Sequence, residues 1–169
     1  MSGPGDLDPA DLAAELRQRF FGKYRGVVTE VDAATMRVKA QVAAIGPVDL
    51  GWAMPCVPYA GPGVGFCMLP EPMTGVWIEF EAGDLSYPIW VGCYWRSGEV
   101  PPDAAEDVKA IFIKAGTFAL SDADGALSLE DANGNTVVVS ASGVLAQGSA
   151  GKIEVAATVK INDGAVEVS

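Results

Sequence analysis

Two closely spaced carboxylates, Glu79 and Glu81, are the first candidates for chemistry in this sequence. A carboxylate pair can perform general acid–base catalysis. Because the two residues are two apart in an alternating strand-like segment, we expect them to share one face of a strand. The chain contains no histidine, so the usual base of a nucleophilic triad is missing. We therefore interpret the pair as the polar face of a strand and predict no catalytic residue and no enzyme.

Two other groups of residues could hold a ligand. The glycine-rich segment 61–65 (GPGVG) lacks the Lys-Ser/Thr of a phosphate-binding loop, so it is interpreted as a corner of the chain. The cysteines Cys56, Cys67 and Cys93 are odd in number and have apolar neighbours, which predicts buried free thiols. Zinc would require further ligands that this histidine-free chain lacks, so neither a metal nor a cofactor is predicted.

The charge of the chain excludes several classes of partner. Its formal net charge is −11, and residues 97–169 carry four lysines, no arginine and eleven acidic residues. Binding to nucleic acid or to anionic lipid requires a basic surface. The first twenty residues are polar and acidic, and no run of about 18 apolar residues occurs. We therefore expect that the protein does not bind nucleic acid. We also expect that it stays in the cytoplasm until it assembles.

The amino-terminal half predicts a short helix followed by a small β-barrel. Asp8 is a suitable N-cap for the helix. Leu12, Leu16 and Phe20 recur at helical spacing and form one apolar stripe, which we expect to contact a hub protein or a neighbouring chain. Short strand-like segments separated by Gly and Pro corners fit a closed barrel of the OB type. They cover residues 24–32, 37–42, 50–56, 66–69, 75–81 and 88–95. The core and the subunit contacts are expected to include Trp52, Trp77, Trp90 and Trp95.

The carboxy-terminal part predicts short strands with little to fill a globular core. Apolar residues recur in pairs separated by one residue, so that both members face the same side of a strand. Such strands in one copy have unpaired edges and a thin apolar face, whereas three copies wound about one axis would bury every pair. An ordinary β-sandwich and a single-chain β-solenoid are the alternatives. The predicted trimer core consists of Ile111, Ile113, Phe118, Leu120, Leu127, Leu129, Val137, Val139, Ile153, Val155, Val159 and Ile161.

Residues 21–95 resemble a known family of OB-fold domains. The resemblance is carried by FGKYRGVVTEVD (21–32), RVKAQV (37–42), GWAMPCVPYAGPGVGF (51–66), GVWIEFEAGD (75–84) and PIWVGCYW (88–95). This order resembles the OB domain of phage baseplate assembly protein V and of VgrG-type spikes. DANGN (131–135) is similar to turns of the β-helical needles that follow such domains. The resemblance implies the central spike of a contractile injection system, a structural protein.

Partners and location follow from that resemblance. It implies a homotrimer that docks on a hub or baseplate protein and on the inner tube, and that pierces the target membrane mechanically when the sheath contracts. It also implies a PAAR-type tip protein seated on Val166, Glu167, Val168 and Ser169, possible effector cargo, and a place in a phage tail or phage tail-like particle. The alternatives are a monomeric OB-fold module for single-stranded nucleic acid or sugar, and a small carbohydrate-active enzyme with a β-solenoid.

The expected fold class is all-β, with an intertwined trimeric β-helix needle after the barrel. The predicted organisation is a leader and short helix (1–20), an OB-fold barrel (21–96), a linker (97–107) and a β-helical spike (108–169).

Overall fold

The computed structural model describes residues 8, 10, 13–14 and 18–168. The chain divides into two compact units, Met1–Gly98 and Glu99–Ser169. We call them the barrel unit and the meander unit, and each is described by itself. Within the described residues, no helix has the length and hydropathy that are needed to cross a membrane.

The barrel unit opens with a short helical stretch. Ala10, Ala13 and Ala14 have helical backbone, and the Asp8 carboxylate accepts a hydrogen bond of 2.9 Å from the Ala10 N–H, as expected of an N-cap. Leu12 and Leu16 lie outside the described residues. The Phe20 ring packs within the unit, with its centroid 6.3 Å from those of Tyr24 and Phe80.

Seven strands follow in the barrel unit. They are β1 (Tyr24–Asp32), β2 (Arg37–Gln41), β3 (Met54–Pro55), β4 (Ala60–Gly61), β5 (Val64–Gly65), β6 (Gly75–Phe80) and β7 (Pro88–Cys93). Five of them form a sheet in the order β2-β1-β6-β7-β3, in which only β3 and β7 are parallel. A bridge between Val38 and Ala53 links the two ends of this order, so the sheet curls into an OB-like half-barrel.

The interior of the barrel unit is apolar and comes from alternate positions of the strands. On β6, Val76, Ile78 and Phe80 are buried, while Trp77 and Glu79 between them face outward. The core consists of Val28, Val38, Val42, Leu50, Ala53, Val76, Ile78, Phe80 and Trp90. Its one buried tryptophan, Trp90, donates a hydrogen bond of 3.2 Å from Nε1 to the Met36 carbonyl.

Several sequence-based expectations for this unit were wrong. Trp52 and Trp95 are exposed and Trp77 is only half-buried, so these three do not belong to the core, because alternation and loop placement turn them outward. Their expected subunit contacts stay a prediction. All three cysteines are exposed, because Cys56 lies just before a surface loop, Cys67 lies in that loop and Cys93 is the last residue of β7. The strand expected at 50–56 is reduced to Met54–Pro55, and residues 66–69 form no strand.

The meander unit contains eight strands. They are β8 (Val108–Ile113), β9 (Gly116–Ser121), β10 (Ala126–Asp131), β11 (Thr136–Ser140), β12 (Gly143–Gly148), β13 (Gly151–Val155), β14 (Val159–Ile161) and β15 (Val166–Val168). Each strand pairs antiparallel with the next, so the sheet order is the chain order and only β8 and β15 are edges. Strands of the same chain thus pair most of the strand edges. From the sequence, strands of other copies had been expected to do so.

One glycine of the meander unit permits a close approach between strands. Gly116 has φ +152°, and a Cβ at this position would lie 2.0 Å from the Glu130 carbonyl oxygen on β10. No substituted residue fits there without moving the β9–β10 ladder. Gly125 also has a positive φ, +61°, but the space around its missing Cβ is open.

These two glycines give a matched test of the sheet. We expect Gly125→Ala to cost about 1 kcal/mol, because only left-handed backbone strain is added. Gly116→Ala should lower the melting temperature clearly more, since the added carbon collides with a carbonyl. Calorimetry of both variants measures the difference, and equal shifts would show that β9 and β10 do not pair in this register.

Candidate interaction face

Strand pairing brings the twelve predicted core residues to one face of the meander. Residues directly opposite each other in neighbouring strands point to the same side of a sheet. Ile111 pairs with Phe118, Phe118 with Leu129, and Leu129 with Val137. The same register continues to β15. We call this side the apolar face. That its residues form the core of a trimer stays a prediction.

Two rows of residues cross the apolar face from β8 to β15. The first row holds Ile111, Phe118, Leu129, Val137, Ala146, Ile153, Ile161 and Val166. The second row holds the register positions of Lys109, Leu120, Leu127, Val139, Val144, Val155, Val159 and Val168. Apart from Lys109, every position in the two rows is apolar. A continuous apolar strip therefore crosses all eight strands.

The apolar face is uncovered in the single chain. Ten of the twelve predicted core residues on it are exposed, from 36% at Ile161 to 59% at Ile113, and the other two, Leu127 and Val159, are half-buried. None of the described residues after Gly98 is buried, whereas the barrel unit has a sealed core. A groove of about 810 Å³ runs along the first row. Exposed apolar surface on this scale indicates a site for association.

The opposite face of the sheet has a different character. It carries the charged strand residues Glu130, Lys152, Glu154 and Lys160, together with small and hydroxyl side chains such as Ser128. Val138 and Leu145 are half-buried among them. The opposite face thus carries charged and polar side chains together with half-buried apolar ones such as Phe112, whereas the large side chains of the apolar face are mostly exposed.

Polar residues mark the borders of the apolar face. Lys109 donates to the Glu106 carbonyl at 2.6 Å and to the Asp122 carboxylate at 3.0 Å, so its charge is held at the start of β8. At the other border, Gly116, Gly148 and Gly151 line the groove beside Asp131. Other atoms of the same chain fill the space beside each of these glycines.

Asp131 organises the turn between β10 and β11. Its Oδ1 accepts hydrogen bonds from the N–H groups of Asn133 (2.8 Å) and Asn135 (2.9 Å), and its Oδ2 accepts one from Asn135 Nδ2 (2.8 Å). These donors, the Asn135 side chain most of all, lower the pKa of Asp131 to about 2. The turn that the sequence singled out as DANGN is therefore held by an ionised carboxylate.

This depressed pKa predicts an acid-dependent turn. A carboxylate with a folded-state pKa below its unfolded value stabilises the fold above the unfolded pKa, and the benefit disappears as pH falls through the folded pKa. The melting-temperature advantage of the wild type over Asp131→Asn should be constant above pH about 5 and should vanish between pH about 4 and 2. An advantage that persists unchanged at pH 2 would contradict this account.

The other chemical candidates have structural positions. Glu79 forms an ion pair with Lys23 on the barrel surface. Glu81 lies beyond β6 in a 3₁₀ turn, Glu81–Gly83, so the expectation that the two glutamates share one strand face was wrong. The turn reverses the chain through Ala82, which has φ +50°. The glycine-rich segment 61–65 forms the predicted corner as part of the β4–β5 hairpin.

Sequence reasoning missed two members of the apolar face. Val144 and Ala146 occupy β12 in the second and first rows. Their spacing by one residue is the same signal that identified the other pairs. Leu145 between them breaks the alternation of apolar and polar residues, and it faces the opposite side of the sheet.

Comparison with known proteins agrees with the barrel geometry. Residues 24–95 match the family described as the Type VI secretion system/phage-baseplate injector OB domain. The match covers less than half of the chain, and it confirms the family resemblance predicted for this segment. No curated protein matches the chain.

The barrel segment therefore matches the injector OB-domain family. This family supports a baseplate-type structural role in a phage tail-like injection particle, which is consistent with a non-enzymatic protein.

Proposed function

We propose that this protein is the homotrimeric central spike of a contractile injection system. In the proposed assembly, three meander units pack their apolar faces together and form a needle. The barrel units dock on a hub protein and on the inner tube. Sheath contraction drives the needle into the target envelope, so the role is mechanical. The observation that carries the proposal is the uncovered apolar face on a chain whose other unit matches an injector OB domain.

The energetics of the apolar face favour association. About a dozen large side chains on it are 36% exposed or more. Burying the exposed part of each contributes on the order of 1 kcal/mol, so the face as a whole offers on the order of 10 kcal/mol per chain. A sheet that leaves this surface in water buries few of its own apolar side chains. Little hydrophobic stabilisation then offsets the entropy that is lost when the backbone becomes ordered.

The width of the apolar strip fits a core made of three copies. Two residues on one face of a strand are about 7 Å apart, so a strip of two rows is roughly 10 Å wide with its side chains. Packed sheets also lie about 10 Å apart. Three strips of this width close a triangular prism whose interior is filled by the two rows.

The same geometry suits force transmission. Eight paired strands at a spacing of about 4.8 Å span roughly 34 Å across the sheet, and every step carries backbone hydrogen bonds. A three-sided closed core would resist buckling because no apolar face could peel into water. A PAAR-type protein at β15, and effector cargo carried with it, belong to this proposal.

Native mass tests the proposal directly. Light scattering of the purified chain should give three copies per particle. A stable single chain with an ordered meander would overturn the spike and would favour a monomeric OB-fold binding module, whose retention on single-stranded DNA or a polysaccharide column could then be measured.

A pair of adjacent substitutions tests the role of the apolar face. Val137→Asp would place three carboxylates together in the proposed core, where their desolvation is severely unfavourable. We expect loss of the three-chain species. Val138→Asp adds the same charge on the same strand but on the opposite face, and it should keep the trimer. A Val137→Asp variant that stays trimeric, measured by the same light scattering, rules out this placement.

Truncation tests which unit provides the main contact. Removal of residues 108–169 deletes the whole meander and leaves the five-stranded barrel sheet intact. We expect a folded chain that associates far more weakly than the full-length protein in sedimentation velocity. Trimers of undiminished stability would place the main contact in the barrel unit.

A further inference from the structure

An exposed loop of the barrel unit has the composition of an interface. Every residue from Pro58 to Met68 is exposed, and no charged residue occurs between Gly51 and Pro70. The exposed fractions are 61% for Tyr59, 53% for Val64 and 42% for Phe66. The cores of protein interfaces are depleted of charge and enriched in aromatic residues and methionine. We call residues 58–68 the uncharged loop.

The uncharged loop is built to hold its shape. Val57 and Leu69, at its two ends, pack against the barrel core. Within the loop β4 pairs with β5, and the Phe66 N–H donates to the Tyr59 carbonyl at 2.8 Å. Its apolar side chains are therefore presented to solvent by a preorganised hairpin, which reduces the entropy lost on binding.

We propose that the uncharged loop contacts the barrel unit of a neighbouring copy within the trimer. This inference rests on the proposed function and names a second contact between the copies. Each copy has a net charge of −11, so close approach is least unfavourable where no charge is present.

The size of the loop argues for a copy that is already tethered. Tyr59, Val64, Phe66 and Met68 expose roughly 400 Å² together, about half of the ~800 Å² that each partner buries in a standard interface. Such a contact is too small to hold a separate protein stably. Between chains already joined through the apolar face, the effective concentration of the second contact is in the millimolar range or higher, and a small contact then forms.

Cys67 lies inside the uncharged loop and serves as the reporter. A variant with Cys56→Ser and Cys93→Ser retains Cys67 alone. We expect iodoacetamide to alkylate Cys67 at least about tenfold more slowly in the trimer than in the same protein carrying Val137→Asp, because the contact shields the thiol. A matched control moves the single cysteine to the exposed β1–β2 turn by Ala33→Cys and Cys67→Ser. Its rate should be equal in both backgrounds.

The outcomes separate this inference from the proposed function. A wild-type monomer removes the spike proposal. A trimer of the single-cysteine variant in which Cys67 reacts as fast as in the Val137→Asp background overturns the loop contact alone and leaves the surface open to a different protein.

A second measurement does not depend on the Val137→Asp background. Tyr59 is largely exposed in the single chain, so Tyr59→Ser should have little effect on an isolated barrel. In the trimer it should lower the melting temperature by about 2–4 °C. An unchanged melting temperature of the trimer would also contradict the loop contact.

Discussion

A sheet with one apolar face must cover that face, and this requirement organises the whole structure. The barrel unit meets it alone, because its sheet curls until β2 meets the segment before β3 and encloses residues such as Val38 and Ile78. The meander unit cannot do so, because its eight strands pair in chain order and no described element lies over the two apolar rows. The two units thus differ in how far their own strands cover their apolar residues: the barrel unit encloses a core, and the meander unit leaves its apolar face exposed.

Strand periodicity allowed the apolar face to be predicted from sequence. Pairs such as Val137 and Val139 identify the side of a strand whatever its partner is, because alternation depends only on the pleat. What periodicity does not contain is the identity of the neighbouring strand. The sequence therefore suggested pairing between copies, where the structure shows hairpins within the chain. Both arrangements use the same alternation, and only the ladder of backbone hydrogen bonds distinguishes them.

The misassigned residues of the barrel unit have a common physical cause. Trp77 and Cys67 were placed inside because of their hydrophobicity, although the parity of Val76 and Ile78 already directs Trp77 outward. Cys67 belongs to a loop in which Pro58 and Pro62 restrict the backbone, a short hairpin precedes it, and the strand expected at 66–69 does not form. Residue type predicts burial on average, whereas parity and loop geometry determine it at a given position.

The distribution of charge supports the division of the surface into contacting and repelling parts. In the described strands of the meander unit, the charges lie on the face opposite the apolar rows, apart from Lys109 and Asp131 at the borders. Both border residues are engaged in hydrogen bonds within their own chain. Chains of net charge −11 repel one another in most orientations. Association is then confined to surfaces without charge, and the sheet presents one continuous strip of that kind. In the proposed assembly, acidity and the apolar strip act together: the first disfavours irregular contacts, and the second stabilises the arrangement in which the strips meet.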